Sequence, residues 1–122
     1  MQQALKNRPL FARLRFAGAG IVHGLRSEQS LRTQFCGLLL LVAALLYFRP
    51  PPVWWALSIL AAAGVLAAEM FNTAIERLAD HLHPELHPEI RIVKDCAAAG
   101  VLIIALGALG VGVALLIALL QR

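Results

Sequence analysis

Charge is missing from long stretches of this chain. No acidic or basic residue lies in 33–48, 50–68 or 96–121. Such runs exclude an ordinary soluble domain. With 60% hydrophobic residues in 122 and a mean hydropathy of +0.75, the composition is that of a membrane protein. Acids are scarce in the N-terminal quarter, where Glu28 stands alone against Lys6, Arg8, Arg13, Arg15, Arg26 and Arg32. The six remaining acids all fall in 69–95. A basic segment beside a membrane span is expected to anchor on anionic lipid in the cytoplasm. It lacks the interleaved aromatics of a nucleic-acid patch, so no nucleic acid is expected as a partner. Cysteine is limited to Cys36 and Cys96, in separate apolar runs without metal-type spacing. Both are expected to be small buried residues. No secretory leader is expected, because the first apolar run starts too deep and no small-residue cleavage site precedes a soluble domain. Neither a Walker A motif nor a glycine-rich nucleotide loop after a strand occurs, which excludes a soluble kinase fold but not nucleotide use.

The apolar runs define three spans in one 122-residue unit. "TQFCGLLLLVAALLYF" (33–48) forms the core of the first, expected over about 28–48. "RPPP" (49–52) breaks the helix because three prolines withhold backbone donors. Trp54 and Trp55 then suit an interface at the start of a second span, about 53–79. The third is expected over about 94–120, with many Ala and Gly positions that permit close helix contacts. Before these, residues 9–25 read as a surface helix with one apolar stripe, Leu10, Leu14, Ala17, Ile21 and Leu25. Gly18, Gly20 and Gly24 weaken it and offer places for close approach. The N-terminal basic residues put residues 1–32 and the 80–95 segment in the cytoplasm. The expected fold is an all-α membrane protein, an amphipathic surface helix followed by three transmembrane helices. A chain this small forms only a thin bundle, so oligomerisation is expected if a polar site is to be enclosed.

Glycine and proline are also absent from "AEMFNTAIERLAD" (68–80), where the second span meets its first acids. At 100° per residue, Asn72 lies at about −60° from Glu69, Glu76 at about −20° and Asp80 at about +20°. These four side chains form one polar stripe rising roughly 16 Å on an otherwise apolar helix. A solvated face accounts for Asp80 but poorly for Glu69 and Glu76. An acid at the hydrocarbon edge costs roughly 2–3 kcal/mol, so a cation, a lysine or a proton must offset it. Magnesium takes carboxylate oxygens and leaves positions for phosphate. Glu28 precedes the first span and Lys94–Asp95 the third. If the spans bundle, these groups meet the Glu69–Glu76 pair at one depth. Carboxylates with a lysine suit phosphoryl transfer, in which an acid takes the proton of the attacking hydroxyl. The loop "HLHPELHPEI" (81–90) carries His81, His83 and His87, but Pro84 and Pro88 stiffen it, and a polar interfacial loop is expected over a zinc site.

"EMFNTAIERLAD", the loop with Glu85 and His87, and "KDCAAAGVLI" together resemble the prokaryotic diacylglycerol kinase family, small three-span membrane kinases that include undecaprenol kinases. "FAGAGIVHGLRSEQSLRTQ" (16–34) resembles the family's N-terminal helix and first-span start. The resemblance implies a homotrimer with composite sites between protomers in the bacterial cytoplasmic membrane, active on the cytoplasmic side. It implies MgATP as phosphoryl donor and a membrane lipid alcohol, diacylglycerol or undecaprenol, as acceptor. Glu69 would be the base, Glu28 and Glu76 would hold Mg2+, and Asn72 would position the reacting groups. Lys94 would meet the transferring phosphate. Arg13, Glu85, His87 and Asp95 would join Glu28, Glu76 and Lys94 around the nucleotide. Arg32 and Trp54 would join Glu69 at the lipid substrate. Three features depart from the family pattern or from its diacylglycerol branch. Gly20 replaces an aromatic residue, Arg91 and Ile92 replace a glycine and a basic residue, and the Gly24–Glu28 interval is that of the undecaprenol branch. The competing reading is a non-catalytic or proton-coupled helical oligomer, which needs one buried acid rather than a metal pair and a lysine.

Overall fold

The computed structural model describes residues 7–122, which form four helices and, among the described residues, no strand. α1 spans Leu10–Ser27, α2 Gln29–Phe48, α3 Pro52–Leu82 and α4 Pro88–Leu120. The last three are long and apolar enough to cross a membrane. At 1.5 Å per residue, α2 measures about 30 Å, α3 about 46 Å and α4 about 50 Å. The hydrocarbon core is about 30 Å thick, so α3 and α4 each extend well beyond it. Nothing between Ala68 and Asp80 interrupts α3.

Each helix boundary has a local cause. Glu28 alone separates α1 from α2, with extended backbone (φ −114°, ψ 119°) and its N–H donated to Gly24 O at 2.8 Å. The Arg32 guanidinium reaches back to the last carbonyls of α1, Leu25 O at 3.2 Å and Arg26 O at 3.0 Å. α2 ends at Arg49 in the left-handed region (φ 48°, ψ 56°), because Pro50 disfavours right-handed helix in the residue before it. At that end Arg122 donates to Phe48 O (2.7 Å) and Arg49 O (3.2 Å), tying the tail of α4 to the turn. α3 opens with Pro52 in its first turn, where a missing N–H costs nothing.

α4 starts at Pro88, six residues before the expected position at Lys94. Pro88 occupies the first turn, Glu89 complements the helix dipole, and His87 Nδ1 accepts the Glu89 N–H at 3.1 Å. The apolar pattern begins only later, which is why hydropathy alone misplaces this end. The connection from α3 shrinks to residues 83–87.

Packing is dominated by α3 against α4, with α2 joining along one side and α1 folding back over the α2–α3 end. Two glycines make this possible. A Cβ on Gly64 would lie 3.2 Å from Ile104 Cδ1, so α3 and α4 approach closely there. A Cβ on Gly24 would lie 2.8 Å from Leu31 Cδ1 and 3.0 Å from Met70 Sδ, so α1 meets α2 and α3 through a bare backbone. Gly18 and Gly20 face open space, contrary to their expected part in close approach. On the stripe of α1, the half-buried Leu25 and the more exposed Ile21 line a cavity of about 270 Å³ with Leu31, Phe35, Leu66, Ala67 and Met70. Leu10 and Leu14 stay exposed, as suits an interfacial helix. The cysteines were expected to be buried, but Cys36 and Cys96 are both free and exposed on the protomer. Helices whose outward faces are apolar do not need small residues to point inward.

Candidate active site

The alternation of helix direction brings the start of α2, the end of α3 and the start of α4 to one end of the bundle. All seven acids lie on the segments that build this end. α3 presents the polar stripe that its periodicity predicts, but burial along it is steeply graded. Glu69 is only 8% exposed. Asn72 and Glu76 are half-buried and Asp80 is open to solvent. Thr73, one turn beyond Glu69, is buried with it. Glu69 makes no side-chain hydrogen bond or ion pair with any described residue. Asn72 Oδ1 is buried with no hydrogen-bond partner. A buried polar atom without a partner is costly, so Asn72 Oδ1, one turn from the nearly buried Glu69, marks this face as a candidate site.

Two ion pairs join the elements at the rim. Arg77 Nη2 lies 3.4 Å from Glu28 Oε1, linking α3 to the α1–α2 junction. Lys94 Nζ is hydrogen-bonded to Asp80 Oδ1, linking the start of α4 to the end of α3. Sequence reasoning passed over Arg77, whose only signal was its place beside Glu76. It also left Asp80 without a partner. Gln34, on the second turn of α2, holds a further buried acceptor without a partner, Oε1. No pattern in the sequence marked it.

The remaining predicted site residues are spread out. Glu85 and His87 lie in the exposed connection, where His83 Nδ1 pairs with Glu85 O at 3.0 Å and the His83 and His87 rings sit 5.2 Å apart. Asp95 is exposed on α4. Arg13 is exposed on α1 and makes no side-chain bond with a described residue. Arg32 is engaged with the carbonyls of α1. Trp54 is not brought to Glu69. It lies fifteen residues away along α3, about 22 Å of helix rise. There it borders a cavity near Pro50, Pro51 and Arg122 at the opposite end.

Among the described residues no group of three or more His, Cys, Asp and Glu side chains converges as a metal cage. Carboxylates offered singly or in pairs fit a cation that takes most of its ligands from phosphate and water, which is the habit of Mg2+. The candidate site thus combines a nearly buried acid unpaired among the described residues, half-buried carboxylates, a lysine and an arginine at one end of three membrane-length helices.

Pairwise comparison with curated proteins finds no match. A family model described as "Prokaryotic diacylglycerol kinase" matches residues 15–116, from the middle of α1 to near the end of α4. That stretch includes every candidate site residue except Arg13, and on it the chain belongs to the prokaryotic diacylglycerol kinase family.

Proposed function

We propose that the protein transfers the γ-phosphoryl group of ATP to the primary hydroxyl of a membrane lipid alcohol. The observation that carries this reading is Glu69, a nearly buried residue whose carboxylate has no partner among the described residues, one turn from the orphaned Asn72 Oδ1. A hydroxyl arriving from the lipid side supplies the missing donor. In the reaction the hydroxyl oxygen bonds to the γ-phosphorus, the bond from that phosphorus to the ADP oxygen breaks, and the proton passes to Glu69. Asn72 orients the reacting groups. Lys94, released from Asp80, meets the charge that develops on the transferring phosphate.

Glu28 and Glu76 would hold Mg2+, which when bound offsets the charge of the phosphate oxygens. Their chemistry suits it, since both are carboxylates at the rim with part of their surface in water. Arg13, Glu85, His87 and Asp95 complete the nucleotide side. Arg32 belongs at the lipid headgroup. Trp54 touches only the far part of a lipid tail. The basic N-terminal segment supports a site on the cytoplasmic side of a bacterial inner membrane. Three copies would cover the exposed faces of the helices and complete each site from two protomers.

Diacylglycerol and undecaprenol both present a primary hydroxyl at this level. Radiolabelled phosphate transfer from MgATP, measured for both lipids side by side in the same vesicles, tests the reading. Transfer to at least one is expected, and transfer to neither overturns it. Glu76→Gln is expected to raise the Mg2+ concentration for half-maximal rate by about tenfold or more, as loss of a charged ligand does. An unchanged requirement removes Glu76 from the metal site.

A further inference from the structure

The Arg77–Glu28 pair sets a cation against a carboxylate that the proposed function gives to Mg2+. Arg77 follows Glu76 directly, so it leaves α3 about 100° away from it. That turn carries its guanidinium to the α1–α2 junction, where Nη2 donates to Glu28 Oε1 at 3.4 Å. The contact is long and made through one point. Of the two side chains, 51% of Arg77 and 33% of Glu28 remain exposed. A pair this open is weak and readily exchanged. Most of the five donors of the guanidinium remain available to another acceptor.

A cation beside Glu28 repels a bare divalent ion approaching the same carboxylate. It attracts the same ion when that ion arrives wrapped in polyphosphate, because the complex carries net negative charge. Arginine suits the second role, since its planar fork matches two phosphate oxygens and keeps its charge at any cellular pH.

We propose that Arg77 holds Glu28 in the nucleotide-free protein, disfavours free metal there, and passes to a phosphate oxygen when the metal–nucleotide complex binds. Arg77 is then a selectivity residue that makes the site take metal and nucleotide together. This rests on the reading of Glu28 as a metal ligand.

The test uses the full chain in phosphatidylcholine nanodiscs, with Mn2+ as the probe. Bound Mn2+ is counted by electron paramagnetic resonance, first alone and then with an ATP analogue whose β–γ bridge is methylene. Arg77→Ala is expected to tighten binding of Mn2+ alone by about two- to five-fold, the scale of an exposed ion pair. It is expected to weaken binding of the Mn2+–analogue complex by about tenfold, the scale of a charged hydrogen bond to phosphate. Arg77→Lys keeps the charge and is expected to leave Mn2+ binding alone within about twofold of the parent, while still weakening the complex, because it lacks the fork. Opposite signs in Arg77→Ala are what a merely structural role would not produce. Unchanged or weaker binding of Mn2+ alone overturns the proposal. Glu28→Gln separates the two readings. If it leaves Mn2+ binding intact, the metal assignment itself falls. If it abolishes binding while Arg77→Ala changes nothing, only the role of Arg77 falls.

Discussion

Lys94 Nζ is hydrogen-bonded to Asp80 Oδ1 across the short connection between α3 and α4. The lysine proposed to meet phosphate is therefore already held at the rim by an acid from the neighbouring helix. Asp80 is largely exposed, so the pair stabilises little and gives way to a stronger anion. Asp80→Asn is expected to change unfolding free energy by less than about 1 kcal/mol. Lys94→Ala is expected to lower kcat by about 10²–10³, the loss that follows removal of one transition-state donor. Thermal unfolding and steady-state kinetics on the two variants check this. A kcat in Lys94→Ala within a few-fold of the parent contradicts the role given to the lysine.

In the proposed reaction, Glu69 joins burial to proton transfer. Glu69→Gln keeps the shape of the side chain but cannot accept a proton from a hydroxyl. Turnover is expected to fall by about 10²–10⁴. Stability is expected to hold or rise, because a nearly buried acid with no partner among the described residues is replaced by a neutral group. Phosphate transfer and thermal unfolding, measured on the same preparation, separate the two effects. Substantial turnover in the variant removes Glu69 as the base.

Asn72 offers a similar contrast. Its Oδ1 is buried and has no partner, so it contributes no bond to the protomer that truncation would break. Asn72→Ala is expected to leave the melting temperature within about 2 °C of the parent, since no named source of large destabilisation applies. Its rate is expected to drop by about tenfold or more, as when a positioning contact is lost. A large fall in melting temperature with the rate preserved would instead make Asn72 a packing residue.

Gly24 and Gly18 stand six residues apart on α1 but in different surroundings. Gly24→Val places methyl groups against Leu31 and Met70, and Leu31 is only 2% exposed. The expected cost is about 1–3 kcal/mol, with activity lost as α1 lifts from the α2–α3 end. Gly18→Ala meets nothing within 4 Å. It is expected to stabilise α1 by about 0.5–1 kcal/mol, because alanine is the better helix former. Chemical unfolding of the two variants checks both signs, and a destabilising Gly18→Ala would show that α1 has a partner on that face.

Much of the fold was legible in advance because it is set by short-range rules. Uncharged runs of membrane length had to be helical, since lipid satisfies no backbone donor. Three prolines had to end α2, and a periodicity of 3.6 had to put Glu69, Asn72, Glu76 and Asp80 on one face. The start of α4 was also local, written in His87, Pro88 and Glu89, but it was hidden from a reading that followed hydropathy. The family matched over residues 15–116 could be recognised from the motif because that motif lies within one helix and the next.

What only the tertiary structure decided is which charges meet. Arg77 finds Glu28 from 49 residues away. Lys94 finds Asp80 across a turn, and Arg122 finds Phe48 at the opposite end from 74 residues away. Those pairings follow from the depth at which α3 sits against α2 and α4. Close approach accompanies it at Gly64, between α3 and α4, and at Gly24, between α1 and the α2–α3 end, where a single added carbon would crowd Ile104 or Leu31. Periodicity assigns each side chain a face on its own helix. It does not fix the axial position of one helix against another, and a shift of one turn, about 5.4 Å, would leave every one of these pairs apart.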